Sequence, residues 1–182
     1  VLERLPSLRA LRFQYMSKAA GIDKDFMVVA NAHSSRLSAL VIKHMFGLSG
    51  TSVDKLGAFP NLKYLVLDQD SSGPRAVTFI KKVPSVESLE LHRSSMSDAD
   101  LEAVAKALPN LKCVHVKSAG RMTGPGIANA FKNHPSLKVI WPHSVSVPSI
   151  SGVASVSAAS DPLWTCRDWR MSDGIPVSVS AD

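Results

Sequence analysis

The 182-residue chain has little of what most directly announces chemistry. Its two cysteines, Cys113 and Cys166, lie 166 − 113 = 53 residues apart. That is neither the paired spacing of a zinc site nor a disulfide framework, so reduced thiols and an intracellular setting, cytoplasmic or nuclear, are expected. No apolar run approaches the roughly 18 residues a membrane helix requires, and no membrane span is expected. Basic residues outnumber acidic ones (21 Lys and Arg, 15 Asp and Glu, net charge +6), but the longest basic run is Lys81-Lys82. Without a basic stripe to track phosphates, nucleic acid is not an expected partner. Neither an initiator Met nor a charged-then-apolar leader opens the sequence at Val1, which leads to the expectation of a piece of a longer protein.

What is present is a phrase written six times: LPSLRALRF from Leu5, SRLSALVI from Ser35, FPNLKYLVL from Phe59, VPSVESLEL from Val83, LPNLKCVHV from Leu108 and HPSLKVIWP from His134. The first apolar residues of the LxxLxL cores are Leu8, Leu37, Leu62, Val86, Leu111 and Leu137, separated by 29, 25, 24, 25 and 26 residues. A period of about 20–29 with that core resembles a leucine-rich repeat. The final positions of LxxLxL alternate, which predicts a short strand with the leucines on one face.

Ahead of each strand the apolar spacing becomes helical. It is clearest in Ser97–Leu108, where Leu101, Val104, Ala105 and Leu108 recur at i, i+3, i+4 and i+7 and Ser97 or Asp98 can cap the start. Pro109 then ends the helix and Asn110 turns the chain into the next strand. Weaker copies are expected over Ile22–Ala32, Ser52–Phe59, Pro74–Val83 and Gly126–Asn133. Strands and helices in strict alternation predict an α/β leucine-rich-repeat solenoid over residues 1–142, with a curved parallel sheet on its concave face and helices on its convex face. Residues 143–182 are expected to differ. Ser144–Ser160 is a Ser, Val and Ala stretch without helical periodicity, read as an extended connector or a mobile segment. Leu163–Met171 places Cys166, Trp169 and Met171 at LxxLxL spacing, read as a degenerate seventh strand or a mobile tail.

A helix ending in Leu-Pro-Asn-Leu-Lys before a strand, best seen from Met96 to Val116, resembles the ribonuclease-inhibitor-like and F-box leucine-rich-repeat proteins, the fungal sets included. The resemblance covers Leu5–Pro142. It implies a repeat array that presents substrates to a ubiquitin ligase, although no F-box is visible in this sequence. The family often places Asn or Cys three residues after the last leucine, where the side chain satisfies turn backbone. Here those positions hold Met16, Met45, Asp70, Ser94 and Ala119, of which only Asp70 and Ser94 can do so.

If the leucines face inward, the residues between them form columns on the concave face. The first is Ala10, Ala39, Tyr64, Ser88, Cys113 and Val139. The second is Arg12, Val41, Val66, Glu90, His115 and Trp141, and the third is Gln14, Lys43, Asp68, His92, Lys117 and His143. Tyr64, Val66, Asp68, Glu90, His92, His115, Lys117 and Trp141 are the expected protein-binding residues, since mixed aromatic and charged faces supply interface hot spots. Cys113, His115 and His92 lack a fourth zinc ligand, and Glu90 beside His115 lacks a nucleophile, so neither a metal, a cofactor nor an enzyme is expected. Gly120–Gly126 lacks the GxxxxGK[ST] spacing and is read as a turn and helix start. The rival readings are a scaffold unconnected with ubiquitin and a metal or hydrolase site on the concave face.

Overall fold

The computed structural model describes residues 8–13, 22–43, 50–68, 73–117, 121–141 and 155–158. Six strands alternate with five helices: β1 (Ala10–Phe13), α1 (Ile22–His33), β2 (Ala39–Lys43), α2 (Gly50–Lys55), β3 (Tyr64–Asp68), α3 (Gly73–Ile80), β4 (Ser88–His92), α4 (Asp98–Ala107), β5 (Cys113–Val116), α5 (Gly124–Phe131) and β6 (Lys138–Trp141). A further strand, β7 (Ser155–Ala158), follows β6. All pair in parallel in chain order, so the protein is an α/β fold on an open parallel sheet.

The alternation of the repeated phrase divides this sheet into two faces. Leu40, Ile42, Leu65, Leu67, Leu89, Leu91, Val114 and Val116 join the helix residues Phe26, Ala30, Val53, Ala76, Phe79, Leu101, Val104, Ile127 and Phe131 in one continuous core. The register from β1 to β5 matches the expected columns: Ala10, Ala39, Tyr64, Ser88 and Cys113 pair in succession, as do Arg12, Val41, Val66, Glu90 and His115.

Small polar residues in the turn before each strand tie neighbouring repeats together. Asn61 Nδ2 donates to the Ser35 carbonyl at 2.7 Å, Ser85 Oγ to that of Leu62 at 2.9 Å, and Ser38 Oγ to that of Arg9 at 3.1 Å. Lys82 Nζ donates to the Asp54 and Leu56 carbonyls at 2.9 and 2.7 Å, satisfying orphan acceptors at the end of α2. That helix stops at Lys55, short of the expected Phe59. The Gly57 amide instead donates to Asn31 Oδ1 of the preceding repeat at 2.8 Å.

Of the two candidate caps of α4, Ser97 is the one used, in a capping box with Asp100. Asp98 reaches into the next repeat, where it accepts from the Thr123 amide and hydroxyl, both at 2.7 Å. A Cβ on Gly126 would run into that carboxylate, so this glycine is required by close approach rather than by a phosphate. Ser94 Oγ accepts from the Met96 amide at 3.2 Å, the turn role expected of it, while Asp70 lies outside the described residues.

Two expectations fail at the end of the array. In β6 the ladder sets Lys138 beside Cys113 and Ile140 beside His115, one residue short of the register expected from LxxLxL. Val139, assigned above to the exposed columns, instead belongs to the helix-side core. Trp141 lies one position beyond His115's partner and pairs with Ala158. The run Val139-Ile140-Trp141 has no polar residue to fix which face each takes, and register is weakly specified without alternation. The observed register ends the strand just before Pro142, which has no amide to donate. The seventh strand lies within Ser144–Ser160, the stretch read as a connector. The candidate strand around Cys166 falls outside the described residues, as do Gln14 and His143.

Candidate functional site

The sheet face turned away from the helices carries its own apolar strip, in which Ala39, Tyr64, Val66, Cys113 and Ile140 pack together with Ala10 and Val41. A polar network sits beside it, because β3, β4 and β5 place Tyr64, Glu90 and His115 on the same face of adjacent strands. Tyr64 Oη donates to Glu90 Oε1 at 2.5 Å, and His92 Nε2 lies 2.9 Å from Glu90 Oε2. The His92 and His115 rings meet edge to face with centroids 6.3 Å apart. Two residues along β4 from Glu90, the last position pairs His92 with Asp68 of β3. Asp68 Oδ1 accepts from Arg93 Nε at 3.1 Å and Nη2 at 2.8 Å. Sequence reasoning missed Arg93. It follows directly on a strand and takes a left-handed backbone (φ 50°), which turns it toward Asp68 with no sequence signal such as glycine to mark the turn.

Of the expected site residues, the structure brings Tyr64, Val66, Asp68, Glu90, His92 and His115 together, with Lys117 exposed at the end of β5. It separates Trp141 from His115 by the register shift of β6. The depth of burial is unexpected for the outer face of an open sheet. Exposure is 4% at Tyr64, Val66 and His115, 2% at Glu90, 1% at Ser88 and Ile140, and 8% at Cys113. Ser88 Oγ and His115 Nδ1 are buried without a hydrogen-bond partner among the described residues. Cys113 is disulfide-bonded, so the expectation of reduced thiols does not hold there. Separation along the sequence is a poor guide to such a bond, which depends on how close two cysteines come in the fold and how their Cβ atoms are directed. Among the described residues no three His, Cys, Asp or Glu side chains are disposed to hold a metal, the trio Cys113, His92 and His115 included.

Burial and charge set the protonation of this network. Desolvation alone would raise the Glu90 carboxyl, but the hydrogen bonds from His92 and Tyr64 and the charges of His92 and Lys117 outweigh it and hold the group at about 2. Desolvation lowers His115 to about 4; the Glu90 carboxylate pulls it up, and Lys117 and His92 push it down. The network at neutral pH is therefore a buried carboxylate beside a neutral imidazole.

A pH dependence of stability follows. Between the ordinary histidine value of 6.5 and about 4 the unfolded chain binds the proton that folded His115 refuses, so stability rises with pH across that window. The contribution is complete above 6.5 and is lost as pH falls toward 4, amounting to roughly 2–3 kcal/mol. Glu90 adds a second loss as pH falls from 4.5 toward 2. Urea unfolding at pH 7, 5.5 and 4.5 should show the upper loss, and His115→Gln should flatten it. Parallel curves for the two proteins would contradict the assignment.

No protein-family model matches the chain, and no curated protein matches it.

Proposed function

We propose that the chain is a leucine-rich-repeat solenoid that binds another protein on the sheet face opposite its helices, as the substrate-recognition part of an F-box-type ubiquitin ligase adaptor. The observation that carries the binding reading is the network Tyr64–Glu90–His92–His115 set into an apolar strip and rimmed by the exposed cations Arg12, Arg93 and Lys117. A desolvated polar centre within apolar surroundings and a charged rim is how recognition faces concentrate their specificity. The rim cations favour an acidic segment in the partner. The ubiquitin connection rests on the resemblance of the repeated phrase alone, while the parallel ladder of strands alternating with helices supports the repeat reading.

The test is proximity labelling by the natural full-length protein, comparing wild type with a Lys117→Glu, Arg93→Glu double variant. The expected result is labelling of ubiquitin-ligase subunits by both proteins, and of one or more further proteins by wild type alone. Absence of ligase subunits would remove the adaptor role. Identical labelling of all other proteins by the two would remove the rim from the interface.

A further inference from the structure

We infer that the edge of the sheet where helices end and strands begin binds double-stranded nucleic acid through its phosphates, without reading bases. This edge is separate from the protein-binding face proposed above.

The sequence holds no basic run longer than Lys81-Lys82, yet the fold assembles a stripe from cations one repeat apart. Lys81, Lys106 and Lys132 each stand five residues before the first apolar residue of an LxxLxL core, respectively Val86, Leu111 and Leu137. They lie at the ends of α3, α4 and α5, which pack side by side, and all three are exposed. Lys63, Lys112 and Lys138 form a second row, each directly after the first leucine of its core. Backbone bonds keep that row in order. The Glu87 amide donates to the Lys63 carbonyl at 2.9 Å, the Lys112 amide to that of Glu87 and the Lys138 amide to that of Lys112, both at 2.8 Å. Neighbouring positions therefore recur at about 5 Å along the sheet and about 8–10 Å along the helices.

Among the described residues, the acids of these helix ends and turns are Asp54 and Glu87. Glu87 bridges Lys63 and Lys112, and the edge as a whole stays positive. A groove of about 400 Å³ opens between α4 and α5, with Lys106, Lys132 and His134 in its walls. The acid there, Glu102, accepts from Asn129 Nδ2 at 2.6 Å, and Lys132 Nζ donates to Asn129 Oδ1 at 2.9 Å. A phosphate seated in the groove meets two ammonium groups on its exposed rim.

The same cation at the same place in successive repeats suits a partner whose own charge repeats. A nucleic-acid backbone is such a partner, with one charge on every nucleotide and counterions released as lysines neutralise them. Proteins that hold single strands add aromatic rings on which bases stack. Among the described residues this edge exposes no Phe, Tyr or Trp, so it suits a duplex, whose bases are turned inward and whose phosphates face out. An acidic peptide can meet the charge, but not a charge spacing that repeats along the array.

The experiment measures fluorescence anisotropy of a labelled duplex of about 24 base pairs with the whole chain, between about 50 and 200 mM salt. Wild type is compared with a Lys106→Gln, Lys132→Gln variant and with a Lys43→Gln, Arg121→Gln variant, which removes the same charge from the opposite edge; circular dichroism confirms that both fold. Wild type should bind duplexes of different sequence alike and more weakly as salt rises. The first variant should lose at least about tenfold in affinity, and its plot of log K against log salt should be shallower by about two. The second should stay within about threefold of wild type. No duplex binding by wild type at the lowest salt, equal losses in the two variants, or tighter binding of polyglutamate or of a single strand than of the duplex would overturn the inference. Arg93 and Lys117, varied in the labelling test above, follow the far ends of β4 and β5, so either proposal can fail without the other.

Discussion

Replacing Phe79 with alanine lowers the unfolding free energy by about 3–5 kcal/mol, enough to unfold much of a domain of ordinary stability at 37 °C. Phe79 is fully buried on α3 and meets Phe59 of the preceding repeat edge to face, with ring centroids 6.0 Å apart. The loss combines transfer of the ring, the cavity it leaves and an aromatic pair worth about 1 kcal/mol. Because each strand pairs only with its sequence neighbours, the gap at α3 cannot be closed from elsewhere in the sheet. Hydrogen exchange should therefore show the largest loss of protection in β3 and β4, decaying toward β1 and β6. A loss under 1 kcal/mol in urea titration, or a uniform loss of protection, would contradict this. Glu87→Gln serves as a control: its carboxylate bridges the half-exposed Lys63 and Lys112, and surface pairs of this kind contribute less than about 1 kcal/mol.

The second large effect belongs to Glu90. Glu90→Ala should destabilise by roughly 2–4 kcal/mol, because it removes the acceptor of the buried Tyr64 hydroxyl and His92 imidazole and leaves a void between strands. Glu90→Gln keeps the volume and one acceptor, and its cost should be about half. The two variants also differ from a packing mutation in what they do to His115. The carboxylate is the one group holding the His115 value up against desolvation and the charges of Lys117 and His92. Without it the imidazole should titrate below about 4, a shift readable by NMR in Glu90→Gln, whose packing is least disturbed. An unchanged His115 titration would mean that the two groups do not share one electrostatic environment.

Much of the scaffold could be read in advance because it is written in local, repeated terms. LxxLxL fixes both a strand and the face its leucines take, and a Pro-Asn or Pro-Ser pair before it fixes the turn. The register of β1 through β5 followed from counting, and so did the neighbourhood of Tyr64, Val66, Glu90 and His115. Reading failed where the local text lost its alternation. Val139-Ile140-Trp141 is apolar throughout, so no alternation fixed the register that the ladder takes. Ser155–Ala158 carries no leucine and yet pairs with β6.

The sequence by itself determined the alternation of strand and helix, the parallel order of the sheet's first six strands and the division of the first five phrases between core and outer face, since all of these depend on spacing along the chain. Only the tertiary structure decided what the outer face is. A residue's place in a column says nothing about what lies above it, so neither the burial of Glu90 and His115 nor the disulfide at Cys113 could be counted from the repeat. Those depend on segments far apart in sequence meeting in space, where desolvation and proximity set the chemistry.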